Sequence, residues 1–171
     1  AKKVNELLSK NASFKPGSVL SVAEGSPNTE SQKAVDKATY ARIKIESLND
    51  LMVNKYENIE LEVPYQGEII LVQLYKINLF SECFHLDTDK SKAVPYQQGL
   101  FYRGIIKGDS NSVASFNFFN NECNGTVSNS RLNNLVIGKL DKKNNLSDYI
   151  IYSDADLKKT NSFDCHSKES P

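Results

Sequence analysis

The sequence predicts an all-β domain, either an antiparallel β-sandwich or a barrel-like sheet, with about seven to eight short strands. Between residues 39 and 157, apolar and polar residues alternate in short segments, which is the pattern of half-buried strands. Clusters of Gly, Asn, Asp and Ser separate these segments at the spacing expected of hairpins. No segment keeps a 3.6-residue apolar period long enough for a long helix.

The first half of the chain contains several distinct local patterns. Residues 1–38 are rich in Ser, Asn, Lys, Gly and Pro, and predict an extended or flexible N-terminal segment. Residues 47–52 offer a capping serine and a brief helical turn. Residues 59–63 alternate apolar residues with glutamates, which predicts a strand with its acids in water. Residues 68–80 predict an apolar strand that bends near its end, and residues 83–86 a further short strand.

The second half repeats strands and turns up to a polar tail. Further strands are predicted at 100–107, 112–119, 123–127, 135–140 and 149–152, each separated from the next by a turn rich in Gly, Asn, Asp, Ser or Lys. Residues 39–157 therefore form the predicted β-rich domain. Residues 158–171 are polar and predict a C-terminal tail.

Composition excludes two classes of partner. The chain has 171 residues, enough for a single core, with 21 basic and 21 acidic residues. Its only arginines are Arg42, Arg103 and Arg131, so it has no basic face for phosphate backbones and we expect no nucleic-acid partner. The longest apolar run, residues 69–72, is far shorter than the roughly 18 residues of a membrane-spanning helix, so we expect no membrane span.

Few residues in the chain are suited to catalysis. There are two histidines, His85 and His166, and three cysteines. The phosphate-binding, dinucleotide-binding, zinc-protease and serine-hydrolase motifs G-x-x-x-x-G-K-[ST], G-x-G-x-x-G, H-E-x-x-H and G-x-S-x-G do not occur. We therefore expect that this chain is not itself an enzyme, that it has no catalytic residue, and that it holds no intrinsic cofactor or metal.

Residues 99–115 carry a recognisable motif. The segment reads GLFYRGIIKGDSNSVAS, an aromatic residue, a glycine, apolar residues, then Gly-Asp-x-x-Ser, and a strand with its own glycine follows at 123–127. This pattern resembles the propeptides of reprolysin/ADAM-type secreted zinc metalloproteases, and looks most like the bacterial, Bacteroidetes-like version. The resemblance covers roughly residues 39–165 and is clearest over 99–157. The motif positions, read as structural, are Tyr102, Gly104, Gly108, Asp109, Ser112 and Gly125.

The resemblance implies a non-catalytic propeptide. Such a domain precedes a zinc metalloendopeptidase, assists its folding and keeps the zymogen latent until it is cleaved away. The implied partner is the protease catalytic domain, in cis or in trans, and the only zinc is that of the partner. The implied location is outside the cytoplasm, secreted or at the periplasm or cell surface, after removal of a signal peptide.

The cysteines add a further expectation. In some proteases of this type a propeptide cysteine, the cysteine switch, takes the open position on the catalytic zinc. Cys165 lies in the polar tail where such an inhibitory ligand would be carried, although His166 stands where the usual pattern has glycine. An unengaged thiol or another disulfide are the alternatives for Cys165. Cys83 and Cys123 lie on predicted strands and either form a disulfide or remain reduced, small and buried.

A second function remains open from the aromatic residues. Adjacent rings at Phe101-Tyr102 and Phe118-Phe119 must place one ring of each pair on the outer face of a sheet. Such a face suits a stand-alone β-sandwich module that binds a glycan or a protein at the cell surface. A lipocalin-like carrier is less favoured, because the strands are short and rich in asparagine.

Overall fold

The computed structural model describes residues 1–24, 29–81, 83–141 and 143–158. Its strands are β1 (Lys15–Gly17), β2 (Leu20–Val22), β3 (Thr39–Ile43), β4 (Asn58–Tyr65), β5 (Glu68–Ile77), β6 (Leu100–Ile106), β7 (Val113–Phe119), β8 (Glu122–Asn129), β9 (Asn133–Lys139) and β10 (Asp148–Ser153). Its α-helices are α1 (Lys2–Ser9), α2 (Thr29–Ala34) and α3 (Ile45–Asn54), and a 3-10 turn follows at Asp154–Asp156.

All ten strands belong to one sheet in the order β1-β4-β5-β6-β7-β8-β9-β10-β3-β2. Every neighbouring pair is antiparallel except β1 and β4, which are parallel. The sheet curls into a half-barrel, so the predicted all-β, barrel-like class is confirmed. The strands from β4 to β10 lie in the sheet in chain order, and all but β5 and β6 are joined by short connections, which is why those turns were visible in the sequence.

Period-two alternation determines which side chains enter the core. In β4, Ile59, Leu61 and Val63 are buried, whereas Glu60 and Glu62 lie on the other face. Six strands contribute large inward side chains, and the fully buried rings are Tyr102, Phe116, Phe118 and Tyr149. The Phe116 and Phe118 rings stack with centroids 6.1 Å apart, and Tyr102 meets Phe118 edge-on at 5.6 Å.

Residues 1–24 and 29–38 differ from the extended or flexible segment that the sequence predicts. Helix α1 packs on β5 and β6, and its Val4 is fully buried. Strands β1 and β2 lie at opposite ends of the sheet order yet are joined only by Ser18 and Val19. This stretch therefore contacts both ends of the curled sheet, pairing first with β4 and then with β3. Few apolar residues sufficed for burial, so composition understated the order of this region.

The connection between β5 and β6 also differs from expectation. The short strand predicted at 83–86 does not form among the described residues, and residues 78–81 and 83–99 are in an irregular connection, which we call the aromatic loop. Three of its rings, Phe80, Phe84 and Tyr96, pack together with centroids 4.3 to 6.3 Å apart. Phe80 also meets Phe101 on β6 at 5.9 Å. Aromatic contact with the outer sheet face replaces strand pairing here. No helix in the described part of the chain is long and apolar enough to cross a membrane.

Candidate functional site

The motif at residues 99–115 lies on β6, the start of β7 and the turn between them. Gly104 is opposite Leu74 of β5, and a Cβ built on Gly104 would lie 1.9 Å from the carbonyl oxygen of Gln73. Gly108 has a φ of +79°, the left-handed region that favours glycine. The two glycines therefore permit a close strand approach and a turn, respectively.

Asp109 and Ser112 organise the turn after β6. The Asp109 carboxylate accepts hydrogen bonds from the backbone N–H of Asn111 at 2.9 Å and from Asn129 Nδ2 at 2.9 Å. Ser112 is buried, and its Oγ donates to the Asp109 carbonyl at 2.6 Å and accepts from the N–H of Ile106 at 2.8 Å. The Gly-Asp-x-x-Ser pattern thus closes a hairpin turn through side-chain hydrogen bonds.

Gly125 completes the motif on β8. It is directly opposite Phe116, and a Cβ on Gly125 would lie 2.5 Å from that ring. The Phe116 ring therefore lies over the glycine backbone. The phenol of Tyr102, the remaining motif residue, donates a 2.6 Å hydrogen bond to the Tyr56 carbonyl. Every motif residue therefore has a structural role.

Of the two alternatives that the sequence left open for Cys83 and Cys123, the structure has the reduced one. Among the described residues, Cys83 and Cys123 are both free, with Cys83 exposed and Cys123 buried. Burial raises the pKa of the Cys123 thiol to about 12, so it stays protonated at neutral pH. Cys83 is on the irregular loop rather than on a strand, which is why cross-strand pairing fails. Cys165 lies outside the described residues.

The C-terminal end of the described chain is held by two backbone hydrogen bonds. The N–H of Lys158 donates to the Ala34 carbonyl at 2.9 Å, and the N–H of Asp36 donates to the Asp156 carbonyl at 2.8 Å. These two bonds form an isolated antiparallel bridge between Leu157 and Val35. We call this the tail root. It lies at the end of β4 where the phenol of Tyr65 faces Asp156.

The aromatic loop presents part of its surface to solvent. Phe84 is 42% exposed and Tyr96 is 41% exposed, and the loop also exposes Leu79 and Leu86. By contrast Tyr102, Phe116 and Phe118 are fully buried. The outward rings of the two adjacent aromatic pairs are therefore Phe101 and Phe119. Both are half-buried, and their ring centroids are 6.2 Å apart.

A cleft of about 330 Å³ lies between α3 and the strand β1. Its floor consists of four buried aliphatic side chains, Val19, Leu51, Ile59 and Leu61. Polar residues also line the cleft, namely Lys15, Ser18, Tyr56 and, from α3, Glu46, Ser47 and Asp50. We call it the seam cleft, because it opens where the chain passes from β1 to β2. An apolar cleft with a few convergent polar groups is the usual form of a binding site.

The wall of the seam cleft is held together by Tyr56. Lys55, in the left-handed region at φ 48°, ends α3 and reverses the chain so that Tyr56 returns towards the helix. The Tyr56 phenol donates to Asp50 Oδ2 at 3.1 Å, and Lys15 Nζ lies 5.6 Å above the ring centroid. Burial and the neighbouring Asp50 carboxylate raise the pKa of Tyr56. This phenol is therefore a hydrogen-bond donor.

Sequence reasoning did not single out this cleft. Its polar residues come from three segments that were assigned to a flexible lead-in, a helical turn and a connection. The only local signal was the brief helical turn predicted at 47–52. The predicted capping serine is wrong, because α3 begins at Ile45 and Lys44 stands at its N-cap without a side-chain hydrogen bond. Across the described ranges, no group of three or more His, Cys, Asp or Glu side chains is placed to hold a metal ion.

The chain was compared with protein-family models, with curated proteins and with solved structures, and nothing matched.

Proposed function

We propose that the chain is the non-catalytic propeptide domain of a secreted reprolysin-like zinc metalloprotease, which it helps to fold and holds latent. The observation that carries the proposal is the tail root. A curled sheet held by a buried core anchors Leu157 and Lys158, so the segment that carries Cys165 starts from a rigid point. Seven residues after Lys158, the Cys165 thiolate can reach about 25 Å from this root.

The chemistry of the tail suits inhibition of a zinc site. A catalytic zinc has three protein ligands and one exchangeable water, and a cysteine thiolate is a strong fourth ligand. In the proposed role, Cys165 displaces that water and the folded domain keeps the thiolate close to the metal. Burial of the protease cleft and thiolate ligation then act together to prevent substrate binding.

Two steps test the proposal. The first is to read the parent gene beyond the codon for Pro171. An open frame that reaches H-E-x-x-H-x-x-G-x-x-H supports it, and a stop codon contradicts a propeptide joined in cis. The second step adds this chain to the catalytic domain so encoded and follows hydrolysis of a quenched fluorescent peptide. We expect inhibition, and a higher soluble yield when the two are expressed together.

Cys165→Ser tests the thiolate separately from the domain. We expect it to raise the inhibition constant by at least about tenfold, which corresponds to 1.4 kcal/mol. The matched control is Cys83→Ser, which removes an exposed thiol from the aromatic loop and should inhibit like the parent. If Cys165→Ser inhibits equally well, latency comes from docking of the domain alone. If the parent chain leaves the protease fully active, the proposed function is wrong.

One observation favours a second function, a stand-alone binding module that recognises glycans. The exposed faces of Phe84 and Tyr96 offer aromatic surface to a sugar ring. Binding on a glycan array that disappears in both Phe84→Ala and Tyr96→Ala, while the unfolding midpoint is unchanged, would support it. Tyr102 and Phe118 are unsuitable for this test, because both rings are buried in the core.

A further inference from the structure

We propose that the tip of the aromatic loop, residues 86–94, is a processing site for a trypsin-type serine endopeptidase, and that the cut chain stays folded as a two-chain domain. Such an endopeptidase has a carboxylate in its specificity pocket and cleaves after a basic residue. Lys90 and Lys92 provide that residue at the tip. The proposal goes beyond the propeptide role and does not depend on it, because it concerns the connection between β5 and β6 rather than the tail.

Both lysines are accessible to a protease. Every residue from 86 to 93 is exposed, and none of them belongs to a helix or a strand. Within the described ranges, neither lysine ammonium group has a carboxylate or a hydrogen-bond partner. Either side chain can therefore enter a specificity pocket without breaking a contact of its own.

The hydrogen bonds of the tip are local. The N–H of Thr88 donates to the Ser91 carbonyl at 2.8 Å, and the N–H of Ala93 donates to Asp87 Oδ1 at 2.9 Å. In the described part of the chain, all hydrogen bonds of residues 86–94 join members of that stretch. Ala93 is also in the left-handed region at φ 51°, a strain that an extended conformation relieves. The tip can therefore extend into a protease at low cost, and the ring contacts at the base of the loop are the remaining restraint.

Lys143 provides a comparison within the same chain. It is exposed in the turn between β9 and β10, but Asn145 fastens that turn at both ends. The Asn145 Nδ2 donates to the carbonyls of Leu140 and Asp148 at 2.7 Å each. Its Oδ1 accepts from the N–H groups of Ser147 at 3.0 Å and Asp148 at 2.7 Å. Opening this turn breaks all of these bonds, so we expect cleavage after Lys143 to be slower than cleavage at the tip.

Cleavage at the tip consumes one water molecule and needs no other reactant. The C–N bond after the lysine breaks, and the water oxygen stays on the lysine carbonyl carbon as a new carboxylate. Both water protons go to the nitrogen of the next residue, which leaves as an ammonium group. The first piece then ends at Lys90 or Lys92, and the second piece begins at Ser91 or Ala93.

The sheet order keeps the two pieces together. The second piece carries β6 to β10, which lie side by side, and the first piece carries the strands on both sides of them. On one side Val72–Ile77 of β5 pairs with Phe101–Ile106 of β6. On the other side Thr39–Arg42 of β3 pairs with Asp148–Ile151 of β10. The second piece can leave only if both ladders break and the shared core opens, so the cut chain stays folded.

Limited proteolysis with trypsin under native conditions tests the site. N-terminal sequencing and mass spectrometry should place the first internal cut after Lys90 or Lys92, at least about tenfold faster than any cut after Lys143. The double variant Lys90→Gln with Lys92→Gln should lose this cut, whereas Asn145→Ala should speed cleavage after Lys143. Cuts beyond residue 158 remove only tail residues and are scored separately. A first internal cut at any other position, or no internal cut, would overturn the proposal.

Size-exclusion chromatography and circular dichroism of the cut protein test whether the two-chain domain holds. Both pieces should elute together at the volume of the uncut chain, with an unchanged spectrum. The urea midpoint of the cut protein should rise with protein concentration, because one folded domain now unfolds into two molecules. The lysine double variant, treated with trypsin in the same way, is the control, and its midpoint should not depend on concentration. Separation of the pieces without denaturant, or loss of the folded spectrum, would contradict the proposal.

Discussion

The phenol of Tyr102 on β6 donates a 2.6 Å hydrogen bond to the backbone carbonyl of Tyr56, 46 residues earlier in the chain. This bond joins the motif strand in the centre of the sheet to the connection that forms the wall of the seam cleft. It explains why a tyrosine rather than a phenylalanine stands at a fully buried position. Burial raises the pKa of Tyr102, because the ionised form would lose solvation, and the group is a donor throughout the neutral range.

Tyr102→Phe is expected to lower the free energy of unfolding by about 1–2 kcal/mol, because the Tyr56 carbonyl loses its donor inside the protein. Urea denaturation followed by circular dichroism measures the change. Tyr152→Phe, at a half-buried position on β10, is the matched control and should change stability by less than about 0.5 kcal/mol. Equal effects of the two substitutions would show that the Tyr102 bond contributes nothing specific.

Gly104→Ala is expected to be among the most damaging single changes in the chain. The added methyl would lie 1.9 Å from the Gln73 carbonyl oxygen, so β5 and β6 must separate. We expect a loss of about 3 kcal/mol or failure to fold. Gly138→Ala adds a methyl where nothing lies within 4 Å and the backbone is not left-handed. Its free energy of unfolding should therefore stay within about 0.5 kcal/mol of the parent value. A tolerated Gly104→Ala would mean that this strand spacing is wrong.

Thiol titration distinguishes free cysteines from a disulfide. In a Cys165→Ser background at pH 8, Cys83 should react with an aromatic disulfide reagent at once, because it is exposed. Cys123 should react only after denaturation, because burial raises its pKa to about 12 and blocks access. The expected stoichiometry is one thiol in the native protein and two in guanidinium without reductant. No thiol released on denaturation would indicate the Cys83–Cys123 disulfide instead.

Alkaline pH should destabilise the protein through its buried acids. Burial raises the pKa of Cys123 to about 12, and those of Tyr102 and Tyr149 are also raised. The unfolded chain loses these protons from about pH 9 upwards while the folded chain retains them, so the free energy of unfolding falls as pH rises. Stability is fully present below pH 9. Cys123→Ala should make the fall between pH 9 and 12 shallower by up to about 1.4 kcal/mol per pH unit, whereas Cys83→Ala should not.

The aromatic loop should open more readily when its anchor on the sheet is removed. Phe101 contacts Phe80 of the loop at 5.9 Å. Phe101→Ala is expected to speed tryptic cleavage after Lys90 and Lys92 about tenfold, equivalent to 1.4 kcal/mol in local opening. The rate is followed by mass spectrometry under native conditions. Val136→Ala, on the outer face of β9, should leave the rate unchanged. An unaffected cleavage rate in Phe101→Ala would mean that other contacts hold the loop.

Local pattern accounted for most of the sheet and for little of the cleft. Alternation and turn residues predict the strands β4 to β10, because neighbours in sequence are neighbours in the sheet. They also predict a strand at 83–86 that does not form. The strands β1 and β2 have only three residues each, so they are too short to show an alternating pattern, and their partner strands are distant in sequence. The sequence therefore did not predict them. Val4 is a single buried residue in a polar helix, and composition cannot report it.

The sequence by itself determined the fold class, because alternation with a period of two and hairpin turns depend on residues that are close along the chain. It also indicated that Gly104, Gly108 and Gly125 are structural, whereas the close approach at Gly104, the left-handed φ at Gly108 and the turn hydrogen bonds of Ser112 came only from the structure. Only the tertiary structure decided that Cys83 and Cys123 stay apart and that Lys15, Glu46 and Tyr56 surround one cleft. Those outcomes depend on how the sheet curls, and curvature is set by packing between elements that no short stretch of sequence contains.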